Sequence, residues 1–166
     1  MSIFGLPACG WSYMKIGEFG LSASYITDIP NDCLEAMVYA LENGTDFICN
    51  FDAESNGNFK VISDDYRTYV IEESSEQLYI CESINKQVLS QEMYKAFSNK
   101  AWKNWQFDQY EDPFEYDLYN KELNANLHKL EIEYEKVFSI SIKSKNINCK
   151  TLNSNFEKGI STEIEK

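Results

Sequence analysis

The chain has 166 residues, of which 43% are hydrophobic and 25% charged, and its formal net charge is −12. A chain of this size can bury a core as one domain without disulfides or a structural metal, and its aromatic content of 14% argues against disorder over most of the length. Residues 1–84 contain 14 acids against three bases, which disfavours direct contact between this half and a nucleic-acid backbone.

The first predicted elements lie within residues 11–27. Aromatic and branched residues alternate there with small ones, which is typical of strands. Gly17 and Gly20 interrupt the run, so we expect one or two strands with a bend.

Residues 30–43 are predicted to form an amphipathic helix, because apolar residues recur there at steps of three and four. Pro30 suits the first turn, and Asn31 or Asp32 is the predicted N-cap. Gly44 follows as the predicted left-handed stop.

A change to alternating apolar residues predicts four short strands in the middle of the chain. Asn56-Gly57 lies between the first two and is typical of a two-residue hairpin turn, because such a turn needs positive φ. Polar turns join the others, so an antiparallel meander is expected. The four strands cover residues 46–54, 59–63, 67–73 and 77–83.

The second half contains two predicted amphipathic helices, over residues 84–106 and 118–137. The run FSISI at 138–142 is interpreted as a terminal strand, and the polar residues 143–166 as a loosely ordered tail. A single domain over 1–142 is therefore expected. The predicted fold class is α+β, with an antiparallel sheet of about five strands and helices packed on one face.

The cysteines are odd in number, widely spaced, and form no C-x-x-C pair, which predicts free thiols in a reducing compartment. No basic-then-apolar leader opens the chain, and no apolar run approaches the roughly 18 residues of a membrane span. A cytoplasmic location without membrane contact is the expectation. The cysteines are Cys9, Cys33, Cys49, Cys81 and Cys149, and the middle three lie in apolar patterns typical of buried residues.

One segment of the sequence partly resembles a calcium-binding loop, but it lacks a required ligand. Residues 52–63 begin like a calcium loop, with oxygen-bearing side chains in the first positions and Gly57 at the sixth. Ser63 stands where such a loop needs a bidentate Glu, and the flanking runs are predicted strands. An ordinary hairpin turn is therefore favoured, and no metal or cofactor is predicted.

Nucleophilic catalysis finds little support in the residues. Cys9 lies in PACGWS, but His128 is the only histidine and occurs in a charged helical context, where a helix-surface or interface residue is expected. Phosphate-binding glycine motifs and zinc-ligand spacings are missing from the sequence. No catalytic residue is predicted.

Residues 107–117, FDQYEDPFEYD, contain five acids, no base and four aromatic residues. Aromatic side chains supply contact area with little rotamer entropy to lose, and acids select a basic partner. The alternative is a helix end whose rings belong to the core and whose acids are solvated. The predicted partner-binding residues are Asp108, Tyr110, Glu111, Asp112, Phe114, Glu115, Tyr116 and Asp117.

In size, charge and the sheet-plus-helix pattern of residues 1–140, the chain resembles the small acidic immunity proteins of bacterial toxin systems. The resemblance implies inhibition of a basic toxin, such as a nuclease, by a tight one-to-one complex. Acidic side chains would occupy the toxin's cationic groove or border it. The resemblance rests on no shared motif, so it carries over no site residues.

The favoured prediction is therefore a non-catalytic binding protein with a basic protein partner. Two other functions stay open on the sequence alone. One is a structural or assembly protein that homo-oligomerises. The other is a small hydrolase that uses carboxylates or Cys9, which would need a cleft where an acid or a thiol has a shifted pKa.

Overall fold

The structure, a computed structural model, describes residues 3–8, 11–24, 28–52, 57–103, 117–133 and 136. These residues form helices and two antiparallel sheets, which confirms the predicted α+β class. The strands number six within the described ranges, and they are divided between a two-stranded and a four-stranded sheet rather than joined in one sheet of about five.

Strands β1 (Trp11–Ile16) and β2 (Phe19–Ser24) form an antiparallel hairpin. Gly17 lies in its turn with a φ of 62°, a left-handed conformation that glycine adopts without steric cost. Gly20 lies within β2 instead. The prediction of one or two early strands with a bend is therefore confirmed, with two strands and the bend at Gly17, whereas Gly20 does not interrupt its strand.

Helix α1 (Ile29–Asn43) ends as predicted, with Gly44 in the left-handed region at a φ of 64°. Its start differs from the prediction. The side chain of Asp28 accepts a hydrogen bond from the backbone N–H of Asn31 at 3.4 Å, so Asp28 is the N-cap, and neither Asn31 nor Asp32 has that role. Asn31 lies inside the first turn and is buried.

The cap residue makes stability depend on pH. Burial raises the pKa of the Asp28 carboxyl above its ordinary value of 3.8; hydrogen bonds from Asn31 oppose this effect, and the charges of Glu122 and Glu35 add to it. As pH rises above 3.8, the unfolded chain ionises before the folded one. The stability that is present below that pH is therefore lost as pH rises through the folded pKa.

We expect Asp28→Asn to raise Tm at neutral pH by a few degrees and to flatten the dependence of Tm on pH above 3.8. Asparagine keeps the side-chain oxygen that caps the helix but has no charge to bury. Thermal unfolding followed by circular dichroism across the acidic range measures both effects. Glu42→Gln, at an exposed acid near the end of α1, is the control and should leave the profile unchanged. A lower Tm for Asp28→Asn at neutral pH would contradict the prediction.

The four-stranded sheet consists of β3 (Phe47–Asp52), β4 (Asn58–Ser63), β5 (Thr68–Glu72) and β6 (Gln77–Cys81). Its strand order is β3-β4-β5-β6 with antiparallel neighbours, which confirms the predicted meander. Gly57 has a φ of 86°, and Asn56 lies outside the described residues. The register contradicts the predicted two-residue turn, because Asp52 pairs with Asn58 and the connection therefore spans residues 53–57.

Residues 84–103, the described part of the helix predicted over 84–106, contain two shorter helices, α2 (Lys86–Phe97) and α3 (Lys100–Lys103). The hydroxyl of Ser98 donates to the Tyr94 carbonyl at 2.6 Å, and the side-chain oxygen of Asn99 accepts from the backbone N–H of Ala101 at 2.9 Å. Such side chains compete with the backbone for hydrogen bonds, which explains why the first helix ends here.

A further helix, α4, spans residues 117–133 and confirms the described part of the prediction over 118–137. Leu123, Leu127 and Leu130 are buried on one side of it. The side-chain amide of Asn126 donates to the side-chain oxygen of Asn31 at 3.2 Å, so a buried polar contact joins α4 to α1.

Compact packing divides the chain into Met1–Tyr134 and Glu135–Lys166, and only Lys136 of the second unit is described. The predicted strand at 138–142 and the predicted tail at 143–166 lie outside the described residues. No helix in the described ranges combines the length and the apolar character needed to cross a lipid bilayer.

Three cysteines, Cys33, Cys49 and Cys81, are free and buried as predicted. The sulfur of Cys33 in α1 lies 3.8 Å from that of Cys49 in β3, so this contact belongs to the packing of the helix on the sheet. Burial raises the pKa of the Cys33 thiol well above its usual value, which keeps it protonated and inert. Cys9 and Cys149 lie outside the described residues.

Candidate binding surface

The structure describes one of the eight predicted partner-binding residues, Asp117, which is exposed at the start of α4. This segment therefore stays a prediction. The other seven lie outside the described residues: Asp108, Tyr110, Glu111, Asp112, Phe114, Glu115 and Tyr116.

The two described aromatic residues that flank this segment belong to the core. Trp102 is fully buried and packs edge-on against Phe97, with ring centroids 5.0 Å apart. Tyr119 is also buried, and its hydroxyl donates to the carbonyl of Trp102 at 3.5 Å. The alternative that rings in this region pack in the core thus holds for these two residues.

A different surface emerges from the four-stranded sheet, because its two faces have different surroundings. On the inner face, Cys49, Val61 and Val70 are paired across three strands and all are buried. Helix α1 packs there through Cys33, and the ring of Phe19 in the hairpin lies over the same face. The opposite face is exposed or half-buried, and every one of its four strands contributes at least one apolar residue to it.

Apolar side chains cross this outward face in register. One row runs through all four strands, because Ile48 pairs with Ile62, Ile62 with Tyr69, and Tyr69 with Ile80. A second row is apolar only on β5 and β6, where Ile71 pairs with Leu78, and it continues into Lys60 of β4 and Asn50 of β3. The six apolar residues of the two rows, here called the outer apolar face, are Ile48, Ile62, Tyr69, Ile71, Leu78 and Ile80.

The exposure of this face is substantial. Ile48, Leu78 and Ile80 are 52%, 57% and 53% exposed, and the other three are half-buried. An antiparallel sheet with one solvated face usually places polar residues there. Contiguous exposed apolar residues on a folded protein typically mark an interaction site.

Charged residues border the outer apolar face at both ends of the strands. The backbone N–H of Asp64 donates to the carbonyl of Arg67 at 3.0 Å, and that of Glu73 donates to Asn58 at 3.0 Å, so both acids continue the outward rows. Asp52 pairs with Asn58, and Glu82 forms an ion pair with Arg67 at 3.5 Å. These four acids, Asp52, Asp64, Glu73 and Glu82, are here called the acidic rim.

The rim keeps its negative charge despite two nearby bases. Lys60 contacts Glu73 and Arg67 contacts Glu82, so the two bases offset only part of the charge of the four rim acids. Hydrogen bonds from the backbone N–H groups of Arg67 and Tyr66 lower the pKa of Asp64 below its ordinary 3.8. The Asp64 carboxylate is therefore held both in place and in its ionised form.

The predictions about metal and nucleophile sites can be compared with the described residues. Among these residues, no three or more His, Cys, Asp or Glu side chains are grouped to hold a metal ion. Ser63, at the last position of the calcium-like segment, is buried with its hydroxyl 2.7 Å from that of Thr68. His128 is exposed on α4, and its Nδ1 lies 3.7 Å from a carboxylate oxygen of Glu131, as expected for a surface residue.

The sequence contains a signal for the outer apolar face in addition to the alternation that predicts the strands. Strict alternation predicts one buried and one polar face, but Val61-Ile62, Tyr69-Val70-Ile71 and Leu78-Tyr79-Ile80 are consecutive apolar residues. Such runs indicate strands with two apolar faces. Among the described helices, α1 packs on the inner face, and the residues of the second apolar face are exposed or half-buried.

No protein-family model matches the chain, and searches of curated proteins and of solved structures found no match. The outer apolar face and the acidic rim are therefore the features on which a functional proposal can be built.

Proposed function

We propose that the chain is a non-catalytic binding protein that holds a basic protein against its outer apolar face. The observation that carries this proposal is the row Ile48–Ile62–Tyr69–Ile80, which crosses four strands between two acidic borders. Burial of such a row by a partner contributes affinity, whereas acids around it select a basic surface and speed encounter.

The most specific form of the proposal is an immunity protein that acts in the cytoplasm on a basic toxin, such as a nuclease. A nuclease binds phosphate groups, so its substrate groove is cationic. The sheet lies within residues 1–84, where acids outnumber bases by 14 to 3, and this imbalance supports attraction to such a groove. A tight one-to-one complex would then exclude the nucleic acid.

Self-association is the second candidate function, and the same exposed apolar face favours it. Two copies that met through this face would bring their acidic rims together. Repulsion between like charges at an interface opposes that arrangement, so the rim favours a basic partner over a second copy. Light scattering of the purified chain separates the two, because only self-association gives a mass above the monomer.

The proposal is tested by capture from the native host with immobilised protein, followed by mass spectrometry. We expect a basic protein to be retained at one-to-one stoichiometry. The double variant Glu111→Lys/Asp112→Lys should fold normally and reduce capture, with part of the loss in the association rate. Its control is Glu42→Lys/Glu131→Lys, which reverses two exposed acids on helices and should not change capture.

Each result of this experiment is informative. Unchanged capture by Glu111→Lys/Asp112→Lys would remove residues 107–117 as the contact and leave the outer apolar face as the candidate. Equal losses of capture in both double variants would indicate that these acids act only through long-range electrostatic attraction to the partner. Retention of acidic proteins, or of none, would contradict the proposed function.

A further inference from the structure

Strand β6 (Gln77–Cys81) is the last strand of its sheet in the described part of the chain, and its own residues include none that commonly block further pairing. Among the described residues, no strand pairs with its outer edge. Edge strands commonly carry a lysine, a proline or a bulge that prevents further pairing. The sequence QLYIC contains neither lysine nor proline, and its register with β5 is continuous.

The register of the sheet shows which backbone groups of β5 face β6. In an antiparallel ladder, successive residues direct their N–H and C=O groups alternately to the two neighbouring strands. The bond from the Glu73 N–H to the Asn58 carbonyl, and that from the Asp64 N–H to the Arg67 carbonyl, direct the odd-numbered residues of β5 towards β4. Its even-numbered residues therefore face β6.

The same alternation shows which backbone N–H and C=O groups of β6 point away from β5. The even residues of β5 pair with Gln77, Tyr79 and Cys81, which consequently direct their N–H and C=O groups inward to the sheet. Leu78 and Ile80 direct theirs outward. The edge thus presents two donors and two acceptors with the spacing that one more antiparallel or parallel strand requires.

A cleft of about 630 Å³ runs along this edge. It is lined both by Leu78 and Ile80, whose side chains point to the outer face, and by Tyr79 and Cys81, whose side chains point inward. Residues of alternate faces can line one cleft only if it follows the edge of the strand. The cleft therefore lies where an added strand would be placed.

The hairpin turn of β1 and β2 forms the second wall of the cleft. The ring of Phe19 lies 4.2 Å from that of Tyr79, centroid to centroid. Gly17 approaches so closely that an added Cβ would lie 3.1 Å from the sulfur of Cys81. An aromatic floor beside an open strand edge suits alternate apolar side chains of an extended segment.

The charges of the cleft determine the class of segment. Among the described residues, Glu18 and Glu82 line it and no basic residue does, although Arg67 contacts Glu82 from the neighbouring strand at 3.5 Å. Glu76 precedes the strand, so a second copy of β6 paired antiparallel to the first would bring Glu76 of one copy towards Glu82 of the other. A segment with lysine or arginine between apolar residues meets complementary charge instead.

We infer that β6 accepts an extended segment of the basic partner as a fifth strand of the sheet, with apolar residues towards Tyr79 and lysine or arginine residues towards Glu18 and Glu82. The inference rests on the proposed function for the charge of the partner. It adds the mode of binding: backbone hydrogen bonds to Leu78 and Ile80 supply affinity, and the cleft supplies sequence preference.

The test uses the peptide acetyl-KVKVKVK-amide and the ¹⁵N-labelled chain. We expect saturable shifts of the Leu78 and Ile80 amide signals and slower hydrogen exchange at both. The same peptide N-methylated at alternate residues keeps its charges and side chains but loses donors, so its affinity should fall at least about tenfold. The anionic peptide acetyl-EVEVEVE-amide should not bind.

A matched pair of variants separates the backbone from the side chain. Ile80→Ala shortens the side chain and keeps the N–H, whereas Ile80→Pro removes the outward N–H without breaking the ladder to β5. We expect Ile80→Pro to bind the cationic peptide about tenfold more weakly than Ile80→Ala. If Ile80→Pro does not fold, the N-methylated peptide on the unchanged chain decides the same question.

The outcomes distinguish this inference from the proposed function. Shifts confined to Ile48, Ile62 and Tyr69, with no effect of N-methylation, would overturn strand addition and leave a basic partner on the outer face. Equal binding of the anionic peptide would overturn the charge preference on which both depend. No shift at Leu78 and Ile80 would overturn strand addition, whereas the proposed function is decided by capture from the host, and an Ile80-dependent dimer would replace the partner strand by a second copy.

Discussion

Replacing Trp102 by alanine is expected to lower the free energy of unfolding by about 3–5 kcal/mol, the usual cost of deleting a large aromatic side chain from a core. Trp102 is fully buried, packs against Phe97, and accepts the hydrogen bond of the buried Tyr119 hydroxyl through its carbonyl. Alanine leaves a cavity that the surrounding helices can close only in part. Urea unfolding followed by far-ultraviolet circular dichroism measures the loss as a lower midpoint at unchanged slope.

Tyr66→Ala is the control for this prediction. Tyr66 is 79% exposed in the turn between β4 and β5, so its removal should change the free energy of unfolding by no more than about 0.5 kcal/mol. Similar losses for the two variants would mean that Trp102 is not a core residue. A Trp102→Ala variant of unchanged stability would contradict the packing of α3 and α4 around it.

The outline of the fold was predictable because its elements have strong local patterns. Helix α1 combines a stripe of apolar residues, a proline in the first turn and Gly44 at its C-terminus. The periodicity and the residues at the helix ends therefore predict the same element. The four central strands are short alternating runs separated by polar turns, and neighbouring runs of this kind pair in sequence order. Local chemistry alone was sufficient for these elements.

The exact start of α1, the split between α2 and α3 and the division of the strands into two sheets were not predictable from the sequence. Asp28, Asn31 and Asp32 are all good capping residues, and the choice of Asp28 follows from the burial of Asn31 against Asn126 on a distant helix. The split between α2 and α3 depends on whether Ser98 and Asn99 hydrogen-bond to the backbone, which a periodic pattern does not reveal. The partition of strands into two sheets is likewise a matter of tertiary packing.

The candidate surface shows a different limit of sequence analysis. The charge and rings of residues 107–117 are conspicuous in the sequence because they are adjacent. The outer apolar face is assembled from four strands, and each strand contributes only one or two residues to it. Its members become a surface only when the register is known, since a shift of one residue would send every one of them to the inner face.

The binding of a basic partner should depend strongly on Ile48, and a pair of substitutions at this one position separates apolar contact from charge. Ile48→Lys is expected to weaken binding on the order of 100-fold, and Ile48→Glu about tenfold, because both remove apolar contact but only lysine repels a basic surface. Ile48 is 52% exposed, so neither change should unfold the sheet. Surface plasmon resonance with the partner captured from the host gives both affinities and their rate constants.

The matched control for this pair is Ile132→Lys, since Ile132 is an isoleucine of similar exposure, 40%, on α4 rather than on the sheet. It should leave the affinity within about threefold of the original, because a substitution outside a contact surface acts only through weak long-range charge. Ile48→Lys and Ile48→Glu should differ mainly at low salt, where screening is weak, while their shared loss should persist at high salt as faster dissociation. Equal effects of lysine at the two positions would remove the outer apolar face from the interface. A stronger loss for Ile48→Glu than for Ile48→Lys would reverse the charge assigned to the partner, because the acidic rim attracts only a cationic surface.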